Sequence, residues 1–267
     1  MLNKTLLSLV ALAAIAPAAV ISPLRTQPRQ DGLFWGLLGL AMAGGALYVL
    51  YALSGSWDSS LGFALWISIA ITLLLFGGLC LISQEGWRLA PLLLPYLLLL
   101  GVFATLSAEE SGHVEVAGLP ESWLLVHIIS AVVTYGLATL AAVAALAVFL
   151  QERRLKRKKV AVLTAWLPSI AAGERLQYRL LVGAEVVLGA GLLTGLVLRY
   201  FTSMPAAGVD HKTVFSILAF LVILLLLGLQ NWAGLRGRRA GRIVLLAYLL
   251  LTLAYPGVKF VTDLLLA

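Results

Sequence analysis

The amino-acid sequence predicts an all-α, polytopic integral membrane protein with about eight transmembrane helices and both termini outside. Of its 267 residues, 61% are hydrophobic and only 12% are charged, whereas a water-soluble domain carries roughly 25% charged residues. Eight apolar runs approach or exceed the length of a membrane span, and basic residues are concentrated in alternate connections between them. A soluble globular enzyme and a disordered protein are therefore excluded.

The apolar runs give the order of the predicted helices. Because an open strand would leave backbone groups unpaired in lipid, each run is expected to be helical. The runs are Leu6–Ile21, Leu33–Leu53, Leu61–Ile82, Leu89–Leu106, Trp123–Leu150, Arg179–Phe201, Val214–Leu229 and Ile243–Leu266. They divide one integrated membrane domain into an N-terminal four-helix region (residues 1–107), a periplasmic loop (108–122) and a C-terminal four-helix region (123–267).

The first run allows two interpretations. Lys4, the apolar stretch after it and the small residues Ala14 to Ala16 are also typical of a secretory signal peptide. Pro17 directly follows the small residues and disfavours cleavage there. We therefore favour a helix that is retained.

The basic residues predict the orientation. Fifteen of the 19 Lys and Arg residues lie in the connections after the first, third, fifth and seventh runs. They are Arg25, Arg29, Arg88, Arg153, Arg154, Lys156, Arg157, Lys158, Lys159, Arg175, Arg179, Arg236, Arg238, Arg239 and Arg242. Because basic loops stay in the cytoplasm, these connections are predicted to be cytoplasmic. The run Glu152–Lys159 is then a topology signal rather than a nucleic-acid site.

Two histidines are predicted at one depth near the outer face. His127 lies just inside the outer end of the fifth run, and His211 lies at the outer entrance of the seventh. Two neutral imidazoles from separate helices suit an axial pair for haem iron. Interfacial histidines also occur simply as amphipathic side chains at the headgroup level, and this alternative stays open. The third histidine, His113, is expected in the polar loop.

Other polar residues carry weaker signals. Glu185 lies within the sixth run, where an acid marks a proton or ion path or pairs with Arg179. Arg199 and Lys212 lie outside, near His211, where cations suit haem propionates. A small-xxx-small spacing in the sixth run, Gly191 and Gly195, predicts close helix packing.

Several motifs of the C-terminal half resemble the cytochrome c assembly protein family. The segment Leu124–His127, followed by Ser130 and Tyr135, is similar to the histidine-bearing helix of that family. Asp210–Ser216 is similar to its second histidine helix, and Leu235–Ala240 to its basic turn. The resemblance covers just over half of the chain and is closest to the eight-helix, inner-membrane YpjD-like branch, with HemX-type proteins nearby.

This resemblance implies a multi-pass protein of the bacterial inner (plasma) membrane that handles haem and assists cytochrome c assembly. It implies non-covalent haem b at the periplasmic face, with His127 and His211 as axial ligands, and Tyr135 shares a helix face with His127 to line the pocket. The implied partners are haem, the lipid bilayer and proteins of cytochrome c assembly or haem synthesis, with no nucleic acid. Enzymatic catalysis is not expected, because the W-x-W-D loop of the synthetase members is absent. The alternatives are a HemX-type regulator or scaffold without haem, and a small-solute transporter that uses Glu185.

Overall fold

The computed structural model describes residues 2–25, 29–54, 60–107, 121–157, 166–201 and 211–257, and these residues form helices joined by short turns, without a β-strand. The helices are α1 (Leu2–Leu24), α2 (Gly32–Leu53), α3 (Leu61–Ile82), α4 (Ala90–Leu106), α5 (Glu121–Arg157), α6 (Ile170–Phe201), α7 (His211–Trp232) and α8 (Gly237–Thr252). A 3-10 turn, Gly86–Leu89, precedes α4, and a π turn, Leu253–Gly257, follows α8.

Seven of these helices, α1 to α7, are long and apolar enough to cross a membrane. This finding supports a multi-pass membrane protein. The α8 helix has 16 residues, fewer than the about 20 that a span requires, and residues 258–267 lie outside the described part of the chain. The eighth span and the outside location of both termini therefore stay predictions.

Helices α1 to α4 pack together in the N-terminal region. The α1 helix lies against α2 and α4, and α3 also packs on both. A side chain at Gly44 would bring a Cβ within 2.5 Å of the Ala14 Cβ, so glycine is what allows α1 and α2 to approach closely. Ile15 and Trp66 are fully buried in this core, and α1 is thus a packed part of the structure.

Helices α5 to α8 form a second group, which we call the C-terminal ring. The α5 helix packs on α6 and α8, and α7 also packs on α6 and α8. The buried face of α5 is rich in small residues, including Ala141 and Ala144, which let neighbouring backbones approach in a membrane. Contacts between α3 and α5 join the ring to the N-terminal region.

The connections after α1, α3, α5 and α7 meet at one end of the molecule, which we call the basic end. The indole Nε1 of Trp166 donates a hydrogen bond of 2.7 Å to the carbonyl oxygen of Arg25. The Trp166 ring also packs edge-on against Trp87, at 6.4 Å between centroids. The backbone N–H of Gly237, which starts α8, donates to the Glu174 carboxylate on α6 at 2.8 Å. The predicted cytoplasmic connections therefore share one end.

An ion pair at this end fixes the start of α2. The Asp31 carboxylate caps the helix by accepting from the Phe34 N–H at 3.0 Å, and it is paired with the Arg25 guanidinium. Hydrogen bonding from Arg25 and then from the Phe34 N–H lowers the pKa of Asp31 to about 2. The cap is therefore ionised at neutral pH.

Several predicted helices are longer at the basic end than their apolar runs, and α5 and α6 are extended the most. The α5 helix continues through Glu152 to Arg157, where a loop was expected, and α6 begins at Ile170 rather than at Arg179. Arg, Lys, Glu and Gln are good helix formers, so the end of an apolar stretch is not the end of a helix. Lys158, Lys159 and residues 161–165 lie outside the described ranges.

Candidate functional site

The His127 imidazole is held against α6 by its Nδ1 atom. Nδ1 lies 3.1 Å from the carbonyl oxygen of Gly191 and 3.2 Å from the Thr194 hydroxyl. The Nε2 atom forms no hydrogen bond to any residue that the structure describes. Because a carbonyl oxygen only accepts, the contact to Gly191 favours the tautomer with the proton on Nδ1. This tautomer leaves the lone pair of Nε2 available to a ligand or metal.

Two glycines of α6 allow α5 to approach closely here, one at the His127 ring and one at Ser130. A Cβ at Gly195 would lie 3.0 Å from the His127 Cε1 atom, and a Cβ at Gly191 would lie 2.9 Å from the Ser130 hydroxyl oxygen. Both distances are shorter than ordinary van der Waals contact. The small-xxx-small pair, predicted only to pack helices, therefore also shapes the pocket around His127.

His127 and His211 lie at the same end of the C-terminal ring, opposite the basic end, and we call it the histidine end. Phe220 of α7 lies beside Gly189 of α6, since a Cβ there would be 3.3 Å from the Phe220 ring. With a rise of 1.5 Å per residue, His211 lies ~13 Å along α7 from the level of Phe220. Gly195 lies ~9 Å along α6 from the same level, in the same direction along the ring. His211 therefore starts α7 somewhat further out than the level of His127.

The structure does not bring the two histidines into direct contact. Their helices each pack on α6, and His211 and its neighbour Lys212 are exposed. A ligand that joins the two imidazoles would therefore have to bridge from α5 to α7. The side chain of Arg199, the other predicted cation, and the whole of His113 lie outside the described residues.

A small cavity lies inside the C-terminal ring, about one turn further from the histidine end than the two histidines. Its volume is about 70 Å³, which has room for a few water molecules but not for a porphyrin. Its lining comes from α3, α5, α6, α7, α8 and the π turn: Ser68, Ala131, Val132, Thr134, Tyr135, Leu188, Ser216, Leu251 and Ala254. The cavity is therefore too small to hold a haem.

Tyr135 lies deeper than the sequence predicts for a haem pocket. Its hydroxyl accepts a hydrogen bond of 3.1 Å from Tyr248 on α8, and the Tyr248 hydroxyl is 2.5 Å from that of Tyr96 on α4. Thr139 also donates to Tyr248, at 3.2 Å. These four residues form a buried hydroxyl network across three helices. Tyr135 lines the small cavity and ties the ring to α4.

Glu185 is buried in α6 without a partner in the described structure. Only 7% of the residue is exposed, and both carboxylate oxygens are buried and unbonded. The expected alternative, an ion pair with Arg179, does not form, because Arg179 is on the exposed side of the helix. Among the residues described, no group of three or more His, Cys, Asp or Glu side chains forms a metal cluster.

Sequence reasoning missed Thr194 and the cavity. Thr194 follows Gly191 by three residues, so the helical period places both at the His127 ring, but the sequence does not tell which face of α6 meets α5. The cavity arises from side chains of five helices. Only the fold brings them together.

Comparison with known proteins supports the motif resemblance. The family model described as Cytochrome C assembly protein matches residues 36–266. An Azospirillum brasilense protein, titled "Uncharacterized 28.8 kDa protein in nifR3-like 5'region", is 48% identical over 263 residues, or 97% of each chain. "Inner membrane protein YpjD" of Escherichia coli strain K12 is 30% identical over 182 residues, covering 68% of this chain and 66% of that protein. No solved structure matches the chain significantly.

Proposed function

Because the chain belongs to the cytochrome c assembly protein family, we propose that it binds haem b at the periplasmic face of the bacterial inner membrane and assists the assembly of c-type cytochromes. His127 and His211 are the two axial ligands. When bound, the haem would be the iron porphyrin that c-type cytochromes carry. The chain's own residues hold and orient it at the histidine end.

The environment of His127 is the observation that carries this proposal. Histidines that bind metals almost always use one ring nitrogen for the metal and hydrogen-bond the other to a carbonyl, carboxylate or water. His127 has this arrangement, with Nδ1 at the Gly191 carbonyl and the Thr194 hydroxyl and Nε2 open. An imidazole that served only as an interfacial amphipathic group would not need such a fixed orientation.

The charges support the sidedness and the contacts to the porphyrin edge. The four basic connections share the end opposite His127, and basic ends face the cytoplasm. The histidine end then faces the periplasm, where c-type cytochromes are assembled in bacteria with this family. Lys212 is exposed beside His211 and is suited to a haem propionate, and the backbone position of Arg199 near the end of α6 suits the same role.

The absorption spectrum of the protein purified in mild detergent tests this function. We expect a Soret band in the oxidised form and sharp α and β bands on reduction, as for a low-spin haem with two histidine ligands. A protein with no haem, even after haem is added, would contradict the proposal. That outcome favours a regulator or scaffold that acts through partners at the basic end.

The glycine pocket of His127 gives a second, finer prediction. Gly195→Ala places a Cβ 3.0 Å from the His127 Cε1 atom, so the ring has to shift by a few tenths of an ångström. We expect haem affinity to fall by roughly tenfold, because groups that orient a metal ligand are worth about 10–100-fold in affinity. Haem titration of the apoprotein measures the change.

Gly183→Ala is the matched control for this variant. It lies on the same helix, and its Cβ would meet only Leu137, at an ordinary contact distance of 3.6 Å. Haem affinity should stay within about twofold of wild type, since His127 is untouched. Equal losses in both variants would show that α6 tolerates no added methyl group, and the role of the pocket would then be disproved.

A further inference from the structure

Glu185 is a buried carboxylic acid that the proposed haem site does not use. It lies near the middle of α6, two to three turns from the Gly191–Gly195 pocket. Only 7% of it is exposed, and neither carboxylate oxygen has a partner in the described structure. Ionised carboxylates are rare within membrane spans unless they are paired or face a functional path. An unpaired acid in this position requires an explanation other than helix packing.

The charges around Glu185 do not stabilise an ionised carboxylate. The titratable side chains of α5 within its apolar run are His127 and Tyr135, and α7 has none between Thr213 and Trp232. Across the ring, the apolar part of α8 contributes only Tyr248, whose hydroxyl is engaged with Tyr96 and Tyr135. No Lys or Arg of these spans faces the acid. Since burial strongly disfavours an unpaired charge, the carboxyl is held in its neutral, protonated form.

The small cavity provides an approach for protons. Leu188, one turn from Glu185 on α6, lines this cavity, and so do Ser68 and Ser216. Thr134 lines it as well, is 2% exposed, and has an unbonded, buried hydroxyl oxygen. The rest of the lining is largely apolar, so the unsatisfied Thr134 hydroxyl and the two serine hydroxyls are the groups that would hold a water molecule there. The cavity lies between Glu185 and the histidine end.

The surrounding groups are suited to a proton rather than a metal cation. A hard cation such as Ca²⁺ takes six to eight oxygen ligands, and the described residues include no cluster of three His, Cys, Asp or Glu side chains. One carboxyl group with nearby hydroxyls binds a proton without further ligands. A chain of hydroxyls and water is also sufficient to bring a proton to it.

We propose that Glu185 is a proton-binding site in the middle of the C-terminal ring, and that it exchanges protons with the histidine end through the Thr134–Ser216 cavity. This inference does not depend on haem binding. Glu185→Gln keeps the size of the side chain but removes the titratable group. It should leave the haem spectrum of the purified protein unchanged, so failure of this proposal and failure of the haem proposal are distinguishable.

Infrared spectroscopy of the purified protein in lipid nanodiscs tests the proton site. At pH 7 we expect the C=O stretching band of one protonated carboxylic acid per chain, shifted to lower frequency by carboxyl-¹³C-glutamate and absent in Glu185→Gln. The isotope assigns the band to a glutamic acid in the unsubstituted protein, and Glu185 is the described glutamate with both carboxylate oxygens buried and unbonded. Glu152→Gln, at the basic end, is the control and should keep the band. A wild-type protein without the band, or the same band in Glu185→Gln, would overturn the proposal.

Deuterium exchange tests the route. In D₂O the band should shift within seconds to minutes in wild type, and Ser216→Leu, which fills the cavity, should slow the shift at least tenfold. Leu226→Met is the matched control, because Leu226 is fully buried on the same helix but does not line the cavity. It should exchange at the wild-type rate. Unchanged exchange in Ser216→Leu would exclude the cavity as the route.

Discussion

Replacing His127 with alanine is expected to remove haem from the purified protein, with a fall of at least about tenfold in Soret absorbance per chain. The variant loses the nitrogen ligand and leaves a gap against Gly195, so nothing else on α5 takes its place. His211→Ala should have a similar effect on the reduced α and β bands, because a single histidine ligand no longer gives a low-spin, six-coordinate iron. Absorption spectra in both redox states measure these losses.

The third histidine of the chain is the matched control. His113→Ala removes an imidazole from the loop between the two regions and should leave the spectrum at wild-type intensity. Adding free imidazole to His127→Gly should restore part of the signal, which distinguishes a lost ligand from a misfolded protein. If His127→Ala retains the full wild-type spectrum, His127 is not a ligand and the assignment of a two-histidine site is wrong.

Replacing Trp166 with alanine is expected to destabilise the fold by about 3–5 kcal/mol, the usual cost of truncating a large buried aromatic side chain. Trp166 is 3% exposed, donates to the Arg25 carbonyl and packs on Trp87. The substitution therefore removes both a hydrogen bond and a contact between the two halves of the molecule. The fraction of protein that remains monodisperse after heating in detergent measures the loss.

Trp232→Ala is the matched control for the stability measurement. Trp232, the last residue of α7, is 94% exposed. Its removal should therefore change the temperature at which half of the protein stays monodisperse by no more than about 1 °C, as expected for a surface substitution. A similar loss of stability in both variants would indicate a general effect of tryptophan on behaviour in detergent. It would contradict a specific role for Trp166 in joining the halves.

Much of the fold is predictable because long runs of apolar residues predict the helices that are able to span a membrane. The runs Leu61–Ile82 and Leu33–Leu53 end at the same residues as α3 and, to within one residue, α2, since apolar length alone decides where a helix can sit in lipid. The ends of α5 and α6 at the basic end were less predictable. Charged residues such as Arg153 continue a helix into water as readily as leucine continues it in lipid.

The end of the molecule at which the candidate site lies was predictable from the sequence. The side chains that contact the His127 ring were not. The charge pattern and the family motifs placed His127 and His211 at one end, where the structure also has them. The partners of the His127 ring, the Gly191 carbonyl and the Thr194 hydroxyl, depend on how α5 and α6 are rotated about their axes. That rotation is set by the packing of many small side chains, and no local sequence pattern encodes it.

The α6 helix connects three features that lie at different depths. Glu174 accepts from the start of α8 at one end, Glu185 lies in the middle, and Thr194 meets His127 at the other end. Because a helix moves as a stiff rod, an axial slide of a single residue, about 1.5 Å, would change the geometry of both terminal hydrogen bonds at the same time. A change at the His127 contact would thus be transmitted to the basic end by the same displacement of α6.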